Sequence, residues 1–228
     1  MATYDLEEQE QLAELKAWWK MYGNLVVNVL LAVLVVIVAW LGWNRYQGSQ
    51  SSQAAMVYNV LQNAVQAKDA QRIKAASGEL VEKFSGTNYA SLGALMTAKA
   101  MIDAGDAKSA KLQLVWVTEH GKDELRDLAR LRLTAVLLDE KAYDEALKQL
   151  DGTVSQAFAA RFADNRGDVY AAQGKKTEAQ SAYQAALAKL DEAAKASQGD
   201  SAQSVPAQSN AMYRELVQQK LDAQGGGK

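Results

Sequence analysis

The stretch Leu25-Val-Val-Asn-Val-Leu-Leu-Ala-Val-Leu-Val-Val-Ile-Val-Ala-Trp-Leu-Gly-Trp43 settles the outline of this chain. Extended to the nearest charges, Lys20 and Arg45, it becomes 24 residues, Met21 to Asn44, without an ionisable side chain. A bilayer core of roughly 30 Å needs about 20 helical residues at about 1.5 Å each, so the run has the length of a membrane span. It is apolar on every helical face, which a core helix of a globular protein rarely is over this length. Its strongly polar members, Asn24 and Asn28, lie near one end, four residues apart on one face.

Working outward, Trp18, Trp19 and Tyr22 stand on one side of the run and Trp40, Trp43 and Tyr46 on the other. Indole and phenol rings have an apolar body and a polar tip, and they settle at membrane interfaces. A cleavable leader fits poorly, because the first 20 residues are acid-rich, the run is long, and no small-x-small site follows it. The sequence therefore predicts a short acidic segment over 1–20 and an uncleaved transmembrane signal-anchor over 21–46. Lys16, Lys20 and the chain amine outweigh the single Arg45 beyond the span. The small excess of positive charge predicts a cytoplasmic N-terminus and a translocated C-terminal domain.

The chain has 228 residues and no cysteine, which removes disulfide frameworks, thiolate metal sites and thiol nucleophiles. The net charge is −2 and resides in the first 45 residues, so the remainder is neutral. A neutral domain has no electrostatic footprint for nucleic acid. With one proline, Pro206, and abundant Ala and Gln, the remainder can run helix after helix, and the fold class is all-α.

Gly48-Ser-Gln-Ser-Ser-Gln53 reads as a hinge or as the frayed start of the next helix. Apolar residues then recur at three- and four-residue steps: Met56, Val57, Val60, Leu61, Ala64 and Val65, a turn at Lys68-Asp69, then Ile73, Ala76, Leu80, Val81 and Phe84. After Ser85-Gly-Thr-Asn88, three helix pairs can be laid over one another. Their turns are Ala104-Gly-Asp106, Glu140-Lys-Ala142 and Gln173-Gly-Lys175. Five residues after Gly105, Lys141 and Gly174 come Ala110, Ala146 and Ala179, and four further on come Leu114, Leu150 and Tyr183. With Gly167 and Tyr170, these positions resemble the tetratricopeptide repeat, a helix–turn–helix of about 34 residues. Gly167 and Ala179 admit close helix approach, while Tyr170 and Tyr183 fill the gaps. Ala98 and Thr134 stand where the earlier units would carry the glycine.

The reading divides the remainder into a repeat domain over 47–192, a flexible Ala/Ser/Gln-rich link over 193–209, a capping helix over 210–224 and a disordered tail over 225–228. The capping helix places Met212, Leu216, Val217 and Leu221 on one side.

No phosphate loop and no Ser/His/Asp arrangement is present, and the one histidine, His120, sits where a helix ends and suits its dipole. The expectation is a non-catalytic protein with no metal and no cofactor. What remains is surface. The first helix of each pair lines a groove that would include Leu92, Leu95, Lys99, Ile102 and Asp103, then Leu131, Leu138 and Asp139, and finally Asp164 and Asp168. Such a groove would hold an extended or helical peptide.

Several stretches, in order, carry a resemblance. These are Tyr4-Asp-Leu-Glu-Glu-Gln-Glu10, Leu15-Lys-Ala-Trp-Trp-Lys-Met-Tyr-Gly-Asn24, Trp40-Leu-Gly-Trp-Asn-Arg-Tyr46, Tyr89-Ala-Ser-Leu-Gly-Ala-Leu95 and Asp164-Asn-Arg-Gly-Asp-Val-Tyr170. Together they resemble the YfgM family, the ancillary subunit of the bacterial SecYEG translocon. The resemblance implies a single-pass protein of the bacterial inner membrane, with its N-terminus inside and its TPR-like domain in the periplasm. It implies partnership with SecYEG, with the membrane-anchored chaperone PpiD, with unfolded translocated proteins and with membrane lipid. A membrane-tethered scaffold for another envelope assembly shares every feature except the family motifs.

Overall fold

A computed structural model describes residues 2–197 and 205–225, and those residues form nine helices: α1 (Ala2–Gln66), α2 (Ala70–Lys83), α3 (Asn88–Asp103), α4 (Ala107–His120), α5 (Asp123–Asp139), α6 (Tyr143–Gln149), α7 (Ala159–Ala172), α8 (Lys176–Ser197) and α9 (Val205–Ala223). The chain divides into two compact units, one reaching to Ser52 and the other beginning at Gln53. The first unit carries the transmembrane segment, an apolar helix with none of its hydrophobic window buried inside the protein.

The second unit is a stack of helical hairpins. Consecutive helices pack as neighbours from α2 to α9, and the first helices also pack on one another, α3 on α5 and α5 on α7. This pattern, in which each repeat touches only its neighbours, defines a solenoid. The hairpins are set by one recurring turn. Gly105, Lys141 and Gly174 all adopt left-handed backbone, with φ of 79°, 59° and 75°. After each, the next N–H closes the helix end on the carbonyl five residues back: Asp106 to Met101 at 2.8 Å, Ala142 to Leu137 at 2.8 Å and Lys175 to Tyr170 at 2.9 Å. This bond satisfies a carbonyl that the helix end leaves without a partner. Lys68 repeats the geometry, with φ of 54° and the Asp69 N–H on the Ala64 carbonyl at 3.0 Å. The end of α1 and α2 thus make a further hairpin of the same kind, ahead of the three legible from alignment. Asp69 and Asp106 then cap α2 and α4 by accepting the N–H groups of Arg72 and Ser109.

Most of the core is one cluster. It runs from Ala54 and Leu61 through Leu80, Ala94, Leu114, Leu133 and Leu137 to Phe162 and Val169. A second, smaller cluster joins Ala179, Tyr183, Ala186 and Leu187 of α8 to Val217 and Leu221 of α9. The alanines aligned five residues after each turn, Ala110, Ala146 and Ala179, are fully buried, as close helix packing requires.

Several expectations change. Gly48–Gln53 is helical and lies within α1, so it is not a frayed start of a separate helix. The link expected over 193–209 is largely helical: α8 continues to Ser197 and α9 begins at Val205, so that only 198–204 lie outside the described residues. Pro206 falls in the first turn of α9, where its missing N–H costs no helical bond. Met212 and Leu216 do not share the packed side of α9. They are exposed, while Val217 and Leu221 are buried. Of the tail, Gly225 is described with φ of 83°, and 226–228 lie outside the described residues.

The third hairpin is irregular. Its second helix, α6, ends after seven residues, and the chain crosses 151–158 before α7 begins. Arg130 on α5 organises this crossing. Its guanidinium donates to the carbonyls of Gln149 at 2.7 Å, Thr153 at 3.1 Å and Asp151. It also lies over the Phe162 ring at 4.7 Å. Asp127, one turn earlier, stands 3.5 Å from Arg130 and accepts the Ser155 N–H at 2.8 Å.

Candidate interaction surfaces

In the anchor, the two aromatic groups are exposed on the helix surface. Trp18 packs beside Tyr22 with ring centroids 5.9 Å apart and touches Trp19 at 6.4 Å, while Trp43 and Tyr46 pair at 6.3 Å. Tyr22 and Trp40 are 18 positions apart, which is about 27 Å along a helix and close to the hydrocarbon thickness. The Trp19 indole lies over Gly23, so that a Cβ there would come 3.1 Å from the ring nitrogen. That glycine is thus covered from within its own helix.

The first-helix faces do not form one open groove. On α3, Lys99 and Asp103 are exposed and pair with each other at 2.7 Å, and Ile102 is exposed beside them. An exposed pair four residues apart on a helix contributes a few tenths of a kcal/mol, about 0.3–0.5. On α5, Leu131 is buried, which removes it from any groove, as Leu95 is removed on α3. Leu138 packs against the main core, and Asp139 is exposed.

On α7 the correction is larger. Helical spacing predicts Asp164 and Asp168 in the groove, but α9 covers them. Lys220 reaches from α9 to Asp164 at 2.9 Å and to Asp168 at 2.8 Å. The Tyr213 hydroxyl donates to Asp164 at 2.8 Å and the Tyr183 hydroxyl to Asp168 at 2.9 Å. The Asp164 side chain is only 5% exposed. The spacing places both acids on one face of α7, and a buried carboxylate needs a cation or hydrogen-bond donors. Lys220 falls on the same face of α9 as Tyr213 and Val217, which is the sequence signal for the partner. Burial pushes the Asp168 carboxyl above its ordinary range, against the opposing hydrogen bond from Lys220. Burial pulls the Lys220 ammonium down, but its hydrogen bonds to Asp168 and Asp164 and their charges together outweigh it, so the net direction is up. Burial, then the neighbouring carboxylates, push both the Tyr183 and Tyr213 phenols well above their ordinary range.

The packing positions behave as their sizes require. Gly167 lies against the Tyr183 ring, and a Cβ there would fall inside its contact distance. Tyr170 is half-buried, with the Lys175 ammonium 5.9 Å from its ring centre. His120 ends α4 with its ring stacked on Trp116 at 4.8 Å and its Nδ1 3.0 Å from the Trp116 carbonyl. Among the described residues no three His, Cys, Asp or Glu side chains gather as metal ligands.

A membrane anchor followed by stacked helical hairpins defines a membrane-tethered protein of the tetratricopeptide-repeat-like class, and a family model for the tetratricopeptide repeat-like domain matches residues 16–226. The relatives narrow this further. The chain is 33% identical over 220 residues to an ancillary SecYEG translocon subunit of Neisseria gonorrhoeae, covering 96% of this chain and 97% of the relative. It is 32% identical over 185 residues to a protein of the same description from Haemophilus influenzae, covering 81% and 90%. A third, from Escherichia coli, is 33% identical over 138 residues, covering 59% of this chain and 65% of the relative. The chain belongs to the family of ancillary SecYEG translocon subunits.

Proposed function

We propose that this chain is a non-catalytic adaptor at the SecYEG translocon of the bacterial inner membrane. The observation that carries the reading is the match along nearly the whole chain, anchor and repeats alike, to relatives described as ancillary SecYEG translocon subunits. In this reading the span holds the repeat domain beside the exit of the translocon. The N-terminus is cytoplasmic and the domain periplasmic, in line with the excess of positive charge ahead of the span. The domain links emerging chains to periplasmic chaperones, PpiD among them. A solenoid of exposed helical faces suits such work, because repeat stacks present extended surfaces to other proteins.

The test is purification of the full chain from native membranes in mild detergent. SecY, SecE and SecG should come with it, together with a periplasmic chaperone. Recovery of the intact chain without any translocon component would overturn the proposal. A thiol-labelling reagent that cannot cross the inner membrane should modify a cysteine introduced at Gln53 and spare one introduced at Thr3.

A further inference from the structure

The gap left by the short α6 is a cleft of about 550 Å³ between the 150–154 crossing, α7 and α8. Its floor is largely apolar, with Val154 and Ala163 over the buried Leu150, Phe162 and Ala182, and Arg166, paired with Asp151, at its side. Along its rim on α8 run the exposed residues Glu178, Ser181, Ala185 and Lys189. From Glu178 to Lys189 the rim spans 11 positions, which is about 16 Å or three helical turns.

The cleft lies where the hairpin pattern would place more of α6. The second helix is 14 residues long in α4 and 22 in α8, but only 7 in α6. In a solenoid of stacked hairpins the second helices run in one direction, so α6 and α8 are parallel. A helix completing the layer would therefore lie parallel to α8, with its N-terminus beside Glu178 and its C-terminus beside Lys189. The charges ask for the same direction independently. The positive end of a helix dipole is its N-terminus and the negative end its C-terminus, and Glu178 and Lys189 stand at the matching ends. Neither has an ion pair among the described residues.

We infer that the cleft between α6, α7 and α8 is a docking site for an amphipathic helix of a partner protein, lying parallel to α8 with its apolar face on Val154, Ala163 and Ala185. The inference deepens the adaptor reading, on which it rests for the existence of a protein partner. It places that contact on the second-helix layer rather than on the first-helix face that carries Lys99 and Ile102. Occupancy by a helix accounts for three features together: an apolar floor, small rim residues that let a backbone approach, and end charges matched to a dipole.

The experiment places a photo-cross-linking amino acid at Ser181, Ala185, Lys99 or Ile102 of the full chain in native membranes and sequences the adducts. Adducts from Ser181 and Ala185 should map to one segment of one protein, about four residues apart and in ascending order, with little product from Lys99 and Ile102. Filling the rim with Ser181→Trp and Ala185→Trp should lower recovery of that protein about tenfold, an interface hot-spot effect, while the melting temperature holds. Adducts only from Lys99 or Ile102, adducts only with lipid, or adducts in descending or scattered order would overturn the docking site. Capture of translocon components in those cases leaves the adaptor reading standing. An ordered helical adduct from a protein unrelated to secretion supports the site and removes the translocon.

Discussion

The ring of Tyr183 lies directly over the α-carbon of Gly167, in the space that a Cβ on residue 167 would occupy. The obstruction is the rigid ring edge and not the end of a flexible chain. Gly167→Ala must therefore displace Tyr183, which also donates to Asp168. Overpacking of this kind costs about 1–3 kcal/mol. Gly93 offers the contrast, since a Cβ there meets the Leu80 and Leu61 methyl ends, which can turn aside. Thermal unfolding of the two alanine variants should show the larger loss for Gly167→Ala. A double variant Gly167→Ala with Tyr183→Leu should recover much of it, and equal losses at the two glycines would contradict the packing argument.

Lys141, like Lys68, holds its turn at a conformational cost. It holds φ of 59°, where Gly105 and Gly174 hold the same turn without a side chain. Left-handed backbone costs an L-residue roughly 1 kcal/mol relative to glycine, and Lys141 is exposed. Lys141→Gly should raise stability by about 0.5–1 kcal/mol, less the entropy that glycine returns to the unfolded chain. Chemical denaturation with an unchanged m-value is the readout.

Lys220 joins α9 to α7 through two carboxylates, one of them almost wholly buried. Lys220→Met keeps the length of the stem and removes the charge, which leaves Asp164 beneath α9 with the Tyr213 hydroxyl but no cation. Losing a hydrogen-bonded charged partner of this partly exposed kind costs about 1–3 kcal/mol. Because the α8–α9 cluster is separate from the main core, the loss should be local. Hydrogen exchange should accelerate across 210–223 and leave α3 to α5 protected.

The same contacts set a pH dependence. Lys220 is more basic in the folded protein than when free, and Tyr183 and Tyr213 are less acidic. In each case the folded state holds its proton more tightly than the unfolded state. The stabilisation is therefore complete below the ordinary lysine and tyrosine values and is lost as pH rises through the raised ones. Protection of α9 should persist to about pH 10 and fall above it. Tyrosinate absorbance should show two phenols ionising later than the rest.

What was legible in the residues follows from what each signal measures. The span showed because a run without charge has few other physical explanations, and the three later turns showed because Gly105, Gly174 and the aligned alanines are steric necessities. The first hairpin showed as a turn at Lys68-Asp69 but not as a unit of the repeat, because Lys68 occupies a left-handed position that usually advertises itself as glycine. The candidate groove failed at Asp164 and Asp168 because residues 49–56 positions later in the chain supply their partners, and helical spacing alone does not report such pairings. The reduced α6 was also hidden. Tyr143-Asp-Glu-Ala-Leu-Lys-Gln149 is sound helical sequence, and the carbonyls at and beyond its end are held by Arg130, which lies in another helix.

Arg130 thus invites the last test. One guanidinium serves the three carbonyls of Gln149, Asp151 and Thr153 while stacking on Phe162, and Asp127 balances its charge while fixing Ser155. Lysine keeps the charge but has neither the planar fork nor the stacking face. Arg130→Lys should therefore behave like a loss and not like a conservative change, at about 2–3 kcal/mol from the missing charged hydrogen bonds. Protease cleavage should appear within 150–158, while the α3–α4 hairpin stays resistant. If the crossing holds the floor of the cleft in place, the same variant should also lose the ordered cross-links from Ser181 and Ala185. Retention of both the resistant crossing and the cross-links in Arg130→Lys would show that the guanidinium contacts are dispensable.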